Sequence, residues 1–135
     1  MSQASNQMVK SFIAGESFAS KQYFAVQIYG SGADSTVDVA GAAASEGTHI
    51  VGVIQNEPAD GEAASVAIGG TSKLYMAASC DRGEKIVSDA SGNGVVAAAD
   101  QVSIIGIALE SSVGAGSYIE VLLVPGGVAQ ADESN

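Results

Sequence analysis

The sequence predicts an all-β domain, folded as a small antiparallel barrel or sandwich, from three observations. Short runs rich in β-branched and aromatic residues recur with a spacing of roughly 8–12 residues, which is typical of such folds. The turns between them carry Gly, Pro or the dipeptides Asp-Gly and Asn-Gly, which suit tight hairpins. No helical pattern alternates with these runs, as a parallel α/β sheet would require. A β-tulip-like arrangement is one form that the barrel could take.

Nine segments are predicted as strands, each bounded by turn residues. They are residues 23–29, 36–39, 49–55, 64–68, 73–76, 84–88, 94–98, 101–109 and 117–124. Residues 41–47 have small side chains and are interpreted as a loop or a single helical turn. Pro125-Gly126-Gly127 is expected to end the domain. The 135 residues therefore divide into an extended N-terminal arm (1–20), one β-domain (21–127) and a short disordered acidic C-terminal tail (128–135).

The arm is polar, with a few large apolar side chains among Ser, Gln and Asn. These are Met8, Val9, Phe12, Ile13 and Phe18. The first four have the i, i+4 spacing of a helix, but Gly15 follows closely, so a short helix is the alternative to an extended arm. So little apolar surface cannot fold alone, and such a segment becomes ordered by lying on something else.

The apolar residues of the arm are candidate interface residues. Five of the seven aromatic residues lie within the first 29 positions, and Phe12 and Phe18 fall outside the predicted barrel. Aromatic side chains in a polar arm suggest docking on a partner or a neighbouring subunit, and packing within the domain is an equal alternative. Met8, Val9 and Ile13 join them. Arg82, the single arginine, is a further candidate anchor, although a surface ion pair of little energetic value is favoured for it.

Two hairpins within the domain resemble each other. Ile50-Val51-Gly52-Val53 matches Ile104-Ile105-Gly106-Ile107, and Gly61, Val66 and Ile68 then match Gly116, Val121 and Leu123. Two copies are too few for a solenoid, so we interpret them as similar hairpins in one domain. Gly52 and Gly106 lie inside strands, where glycine marks a bulge, a bend or a close backbone approach. The pattern leaves open whether the hairpins pair with each other or lie on opposite sides of the barrel.

The composition excludes several classes of partner. The formal net charge is −10 and the pI is about 4.1, so neither nucleic acid nor an anionic membrane is an expected partner. No apolar run approaches the roughly 18 residues of a membrane span, and the N-terminus lacks the apolar region of a secretory signal. Cys80 is the single cysteine, so no internal disulfide forms, which fits a reducing compartment.

No motif for catalysis or for a cofactor is found in the sequence. With one histidine (His49) and one cysteine, the chain lacks the ligand clusters of a zinc site, and it has neither a P-loop nor a nucleophile elbow. Glu57, Asp60 and Glu62 surround a Pro/Asp-Gly turn and are interpreted as a solvated hairpin tip. We therefore expect no catalytic, cofactor-binding or metal-binding residues, and no enzymatic activity.

Three stretches within residues 45–127 form a pattern: His49 to Gly70 (HIVGVIQNEPADGEAASVAIGG), the hairpin from Gly83 to Ala99, and the ending from Ile104 to Pro125, whose IEVLLVPGG run continues to Gly127. This pattern resembles a family of small capsid decoration (cement) proteins of tailed bacteriophages. It implies a β-rich virion structural protein, commonly a homotrimer, that is made in the host cytoplasm. Such a protein binds the major capsid protein on the outer surface of the head and stabilises the lattice.

A second class of function is a β-module of a phage fibre or adhesin that binds a receptor or glycan. Sugar sites usually present surface Trp or Tyr beside polar groups. The chain has no Trp, and most of its aromatic residues are N-terminal. This composition favours the decoration protein over the glycan-binding module.

Overall fold

The computed structural model describes residues 7–28, 34–40, 49–97 and 101–129. These residues contain strands and turns but no helix, which confirms the predicted all-β class. The strands are β1 (Gln7–Ala14), β2 (Ala25–Gln27), β3 (Thr36–Val39), β4 (Ile50–Ile54), β5 (Ala63–Tyr75), β6 (Lys85–Ser88), β7 (Gly94–Val96), β8 (Gln101–Ala108) and β9 (Tyr118–Ala129).

Several strand boundaries differ from the prediction for local reasons. β2 starts late because the chain first turns at Tyr23, which has a positive φ of 71° and whose N–H donates to the Ile54 carbonyl. The predicted break between residues 68 and 73 is instead a bend inside β5, where Gly70 has a φ of 80°. Residues 41–47 lie outside the described part of the chain.

The expected end of the domain at residues 125–127 is wrong, because β9 continues through Pro125 to Ala129. Proline is tolerated in a strand where the ladder does not need its N–H. Here the β8–β9 register shifts around it: Gly106 pairs with Leu123 and Ile104 pairs with Gly127. Residues 128 and 129 of the predicted tail therefore belong to β9, and residues 130–135 lie outside the described residues.

Five strands close into a barrel, which we call ring 1. The order is β1-β3-β2-β4-β5, and β5 pairs back with β1 through residues 63–70. All of these pairings are antiparallel except that of β1 with β3. The interior is a cluster of buried apolar side chains that comprises Ala14, Phe18, Val26, Val37, Ile54, Ala64 and Val66.

The second half of the chain repeats this arrangement, and we call it ring 2. Residues 71–75 of β5 pair with β9, which continues through β8 and β6 to β7. A parallel bridge from Met76 to Gly94 brings the chain after β5 back to β7. Because β5 contributes to both rings, the closed barrel of ring 1 and the strands of ring 2 are joined along one continuous strand.

The pairing register shows that the two rings correspond strand by strand. In ring 1, Val9 to Ile13 pair with Ala67 to Ala63, and in ring 2, Thr71 to Tyr75 pair with Leu122 to Tyr118. The parallel pair Ala14–Val37 has its counterpart in Met76–Gly94. The similar hairpins are β4–β5 and β8–β9, one in each ring, which answers the question that the sequence left open.

Gly52 in β4 and Gly106 in β8 occupy equivalent positions in the two rings, and each allows a close approach of the facing strand. A Cβ on Gly52 would overlap the backbone carbonyl oxygen of Ala67, and one on Gly106 would overlap that of Leu122. Of the three alternatives that the sequence offered, a bulge, a bend or a close backbone approach, the close approach is therefore observed at both glycines. Only a residue without a side chain lets each hairpin close at this point.

The predicted arm is largely part of the sheet. Residues 7–14 form β1, which pairs with β5 over seven positions, and neither a free arm nor a short helix is seen there. Phe18, further along the arm, is fully buried in ring 1. The β-domain therefore starts before the expected boundary at residue 21, because β1 is one of the strands that close ring 1.

Candidate interaction surface

The strand β1 combines an open backbone edge with exposed apolar side chains. One edge pairs with β5, whereas within the described residues the other edge pairs with β3 only at Ile13 and Ala14. No other described residues pair with the rest of that edge, and unpaired backbone groups at a strand edge can pair with another chain. Addition of a strand to such an edge is a common mode of protein recognition.

Three of the predicted interface residues lie on the surface of β1. Met8 is 63 % exposed, Val9 50 % and Ile13 44 %. Their neighbour Gln7 donates from its side-chain amide to Gln55 Oε1 at 3.2 Å, which ties the start of β1 to the body of the domain. These three apolar side chains thus lie along one strand at the surface.

Phe12 and Phe18 have different surroundings from these three residues. Phe12 is half-buried at the margin of the ring 1 core, and the Lys10 ammonium lies 5.4 Å from the centre of its ring. Phe18 has no exposed surface, and its N–H donates to the Pro58 carbonyl at 2.9 Å. For Phe18, the alternative of packing within the domain is therefore the one observed, because a fully buried side chain has no area for a partner.

Arg82 lies on an exposed turn at the start of β6, away from β1 in the sheet order. Its N–H donates to Ser111 Oγ at 3.2 Å, and the turn is closed by the Asp81 N–H, which donates to Glu84 Oε1 at 2.8 Å. Gly83 supplies the positive φ of 94° that the turn needs. The structure does not bring Arg82 together with the apolar residues of β1.

An aromatic cluster lies where the two rings meet. Tyr75 packs edge-on against Tyr118 with 5.1 Å between ring centres and stacks on Phe24 at 5.4 Å. Tyr23 completes the group, 5.8 Å from Tyr118, and the Lys73 ammonium lies 5.8 Å from its ring centre. Tyr118 is 52 % exposed, so the cluster presents one aromatic face to solvent beside charged groups.

A polar cavity of about 350 Å³ lies near the start of β1, and it is lined by Gln7, Thr71, Ser72, Lys73, Glu110 and Glu120. Lys73 and Glu120 face each other across the β5–β9 pair. Glu110 accepts a 2.9 Å hydrogen bond from the Glu120 backbone N–H. Glu110 therefore has a hydrogen-bond partner in the cavity wall, whereas the Lys73 ammonium lies over the Tyr23 ring.

Among the described residues, two titratable side chains have perturbed pKa values with clear physical causes. Burial raises the pKa of the Asp38 carboxyl, and repulsion from Glu16 and Asp60 raises it further. Burial likewise raises the pKa of the Cys80 thiol, which a hydrogen bond from the Ser112 backbone partly offsets. A buried thiol with a raised pKa is an unreactive structural residue at neutral pH.

The described residues contain no group of three or more His, Cys, Asp or Glu side chains placed to hold a metal ion. Nor does this part of the chain contain a helix long and apolar enough to cross a membrane. No protein-family model matches the chain, and no curated protein matches it. Its candidate surfaces are therefore interpreted from geometry and from the resemblance stated above.

Sequence reasoning missed a second apolar surface, on the outside of ring 2. Leu122 is 41 % exposed and Ile107, its cross-strand neighbour, is half-buried. Both lie in the longest apolar strands, where the sequence does not show which face points outward. Their equivalents in ring 1, Ala67 and Val53, are fully buried, so the match between the hairpins did not indicate this exposed surface.

Proposed function

We propose that the chain is a capsid decoration protein that binds the outer surface of a phage head and stabilises the lattice. Its partners are the major capsid protein and further copies of itself, most simply as a homotrimer. The observation that carries the proposal is β1, which exposes Met8, Val9 and Ile13 and whose outer edge pairs, within the described residues, only at Ile13 and Ala14. The resemblance over residues 45–127 supplies the identity of the partner.

The physical demands on such a protein agree with what the chain offers. A decoration protein acts in many copies, so weak contacts gain strength through a repeating lattice. A two-ring domain built on long-range strand pairing is a rigid support for an edge strand, and rigidity lowers the entropy cost of binding. The net charge of −10 keeps a surface that faces solvent soluble.

Binding to undecorated heads tests this proposal. The wild-type protein is expected to co-sediment with heads and to raise their rupture temperature. The double variant Met8→Lys/Val9→Lys is expected to bind at least about tenfold more weakly, because it places two charges in an apolar contact. Val113→Lys is the matched control, since Val113 is 95 % exposed on another loop. Binding that is equal for all three proteins contradicts the role given to β1.

The exposed aromatic cluster favours the glycan-binding module as a second candidate. Tyr118 presents an aromatic face with Lys73 and Glu120 nearby, and carbohydrate sites combine such faces with polar groups. Titration of the protein with a panel of bacterial surface glycans separates the two candidates. Saturable binding that is lost in Tyr118→Ala, together with no binding to heads, favours the module.

A further inference from the structure

The two rings present different faces where they pack on each other. Ring 1 contributes its outer wall, a row of cross-strand neighbours on β2, β4 and β5: Ala25, Val53 and Ala67, all fully buried. Ring 2 contributes core residues, and Leu74, Ile105 and Leu123 belong to the same apolar cluster as that row. β4 correspondingly contacts both β8 and β9. The internal contact is therefore head to tail, with the wall of one ring against the core of the next.

Among the described residues, no other strand covers the wall of ring 2. The corresponding row on β6, β8 and β9 is Lys85, Ile107 and Leu122, which are cross-strand neighbours in the same register. Lys85 is exposed, Ile107 is half-buried and Leu122 is 41 % exposed. The row that is fully buried in ring 1 is thus only partly buried in ring 2, where Ile107 and Leu122 are its apolar members.

The core of ring 1 is open at the complementary place, which we call its open end. Phe12, Val51 and Ile68 occupy the positions that Leu74, Ile105 and Leu123 hold in ring 2. The ring 2 residues are at most 7 % exposed, whereas their ring 1 counterparts are only half-buried at the margin of the core. The open end of ring 1 can therefore receive a wall like that of ring 2.

We propose that the wall of ring 2 in one copy packs on the open end of ring 1 in a second copy. The contact between chains then continues the contact that joins the two rings within a chain. Each copy uses its wall in one contact and its open end in another, so the association is heterologous. It forms a closed ring of copies if the rotation between neighbouring copies allows closure. The contact names the surfaces through which copies of the chain associate in the proposed function. It rests on the correspondence between the two rings and not on capsid binding.

Two substitutions make the contact between chains looser than the one within the chain. Lys85 replaces Ala25 in the wall, and a lysine can cover apolar surface with its stem only while its ammonium stays in water. Ser35 stands where ring 2 has Gly92, and both have a positive φ. A Cβ on Gly92 would lie 2.7 Å from Val39 Cγ1, so Ser35 requires slightly wider spacing. We therefore expect reversible association.

Sedimentation of the pure protein over a range of concentrations tests the proposal without any capsid. The wild type is expected to assemble reversibly, and Leu122→Glu is expected to weaken assembly at least about tenfold by placing a carboxylate in the contact. Phe12→Ser changes the open end of ring 1 and should weaken assembly to a similar extent. Ile68→Thr is a second variant of the open end if Phe12→Ser does not fold. Val113→Glu is the control and should assemble as the wild type does.

Mixing the two impaired proteins distinguishes this geometry from a symmetric one. Leu122→Glu keeps an intact open end and Phe12→Ser keeps an intact wall, so an equimolar mixture should form a heterodimer through one native contact. In a symmetric interface both copies contribute the same surface, so each mixed pair would contain both substitutions and no complex would form. A monomeric wild type, normal assembly of Leu122→Glu, or no complex between the two folded variants overturns the proposal. Because no head is present, these results are independent of capsid binding.

Discussion

The equivalence of the two rings can be tested at Gly52 and Gly106, where replacement by alanine should cause closely similar damage. A Cβ on Gly52 would overlap the Ala67 carbonyl oxygen and lie 2.9 Å from Val66 Cγ1. On Gly106 it would overlap the Leu122 carbonyl oxygen and lie 3.2 Å from the Leu123 Cα. In each ring, the contacts are with the facing strand of the hairpin.

The expected loss of stability can be estimated from these contacts. A carbon atom and a carbonyl oxygen rarely approach closer than about 3.3 Å, so each hairpin must open and weaken at least one ladder hydrogen bond, worth about 1 kcal/mol. Overpacking adds roughly 1–3 kcal/mol. We expect Gly52→Ala and Gly106→Ala each to lower the free energy of unfolding by about 2–4 kcal/mol, which corresponds to a fall in Tm of roughly 5–15 °C.

Urea unfolding followed by circular dichroism measures this loss. Gly114→Ala is the matched control, because a Cβ there meets nothing within 4 Å, and its effect should stay within about 0.5 kcal/mol. If either strand glycine tolerates alanine as well as Gly114 does, the close approach is not required. If the two losses differ by several kcal/mol, the two hairpins are not equivalent in energy.

Two further predictions concern single side chains. Phe18→Ala should lower the free energy of unfolding by about 3–5 kcal/mol because it empties a fully buried site. Met8→Ala, at a 63 % exposed site, should change the free energy of unfolding by under about 0.5 kcal/mol. Urea unfolding measures both variants, and equal losses would refute the buried and exposed placements of these two side chains. Asp38 has a raised pKa, so the folded state binds its proton more tightly and its contribution to stability falls as pH rises from the ordinary carboxyl value through the raised one. Asp38→Asn should remove that part of the pH dependence and raise the Tm at neutral pH; a lower Tm at pH 7 would contradict this explanation.

The fold class and most of the strands could be predicted because they depend on local patterns. The segment at residues 36–39 coincides with β3, and residues 49–55 and 84–88 each contain an observed strand, β4 and β6. Turn residues and β-branched runs carry this information over a few positions. The paired glycines also identified the two related hairpins, because a close backbone approach admits no other residue.

The full duplication and the placement of β1 could not be predicted, because both depend on long-range pairing. Val9 to Ile13 read VKSFI and their counterparts Thr71 to Tyr75 read TSKLY, so the correspondence appears only in the register. β1 becomes ordered on β5, which lies about 50 residues later in the chain. For the same reason, the sequence left open whether Phe18 packs inside the domain.

Binding to heads tests the central claim most directly. Undecorated heads are mixed with the wild-type protein, pelleted and assayed for bound protein and for rupture temperature. We predict saturable binding at a fixed ratio to the major capsid protein and a higher rupture temperature, both weakened in Met8→Lys/Val9→Lys but not in Val113→Lys. Absence of binding, with an unchanged rupture temperature, would contradict the proposed function and leave the aromatic face at Tyr118 as the surface to pursue.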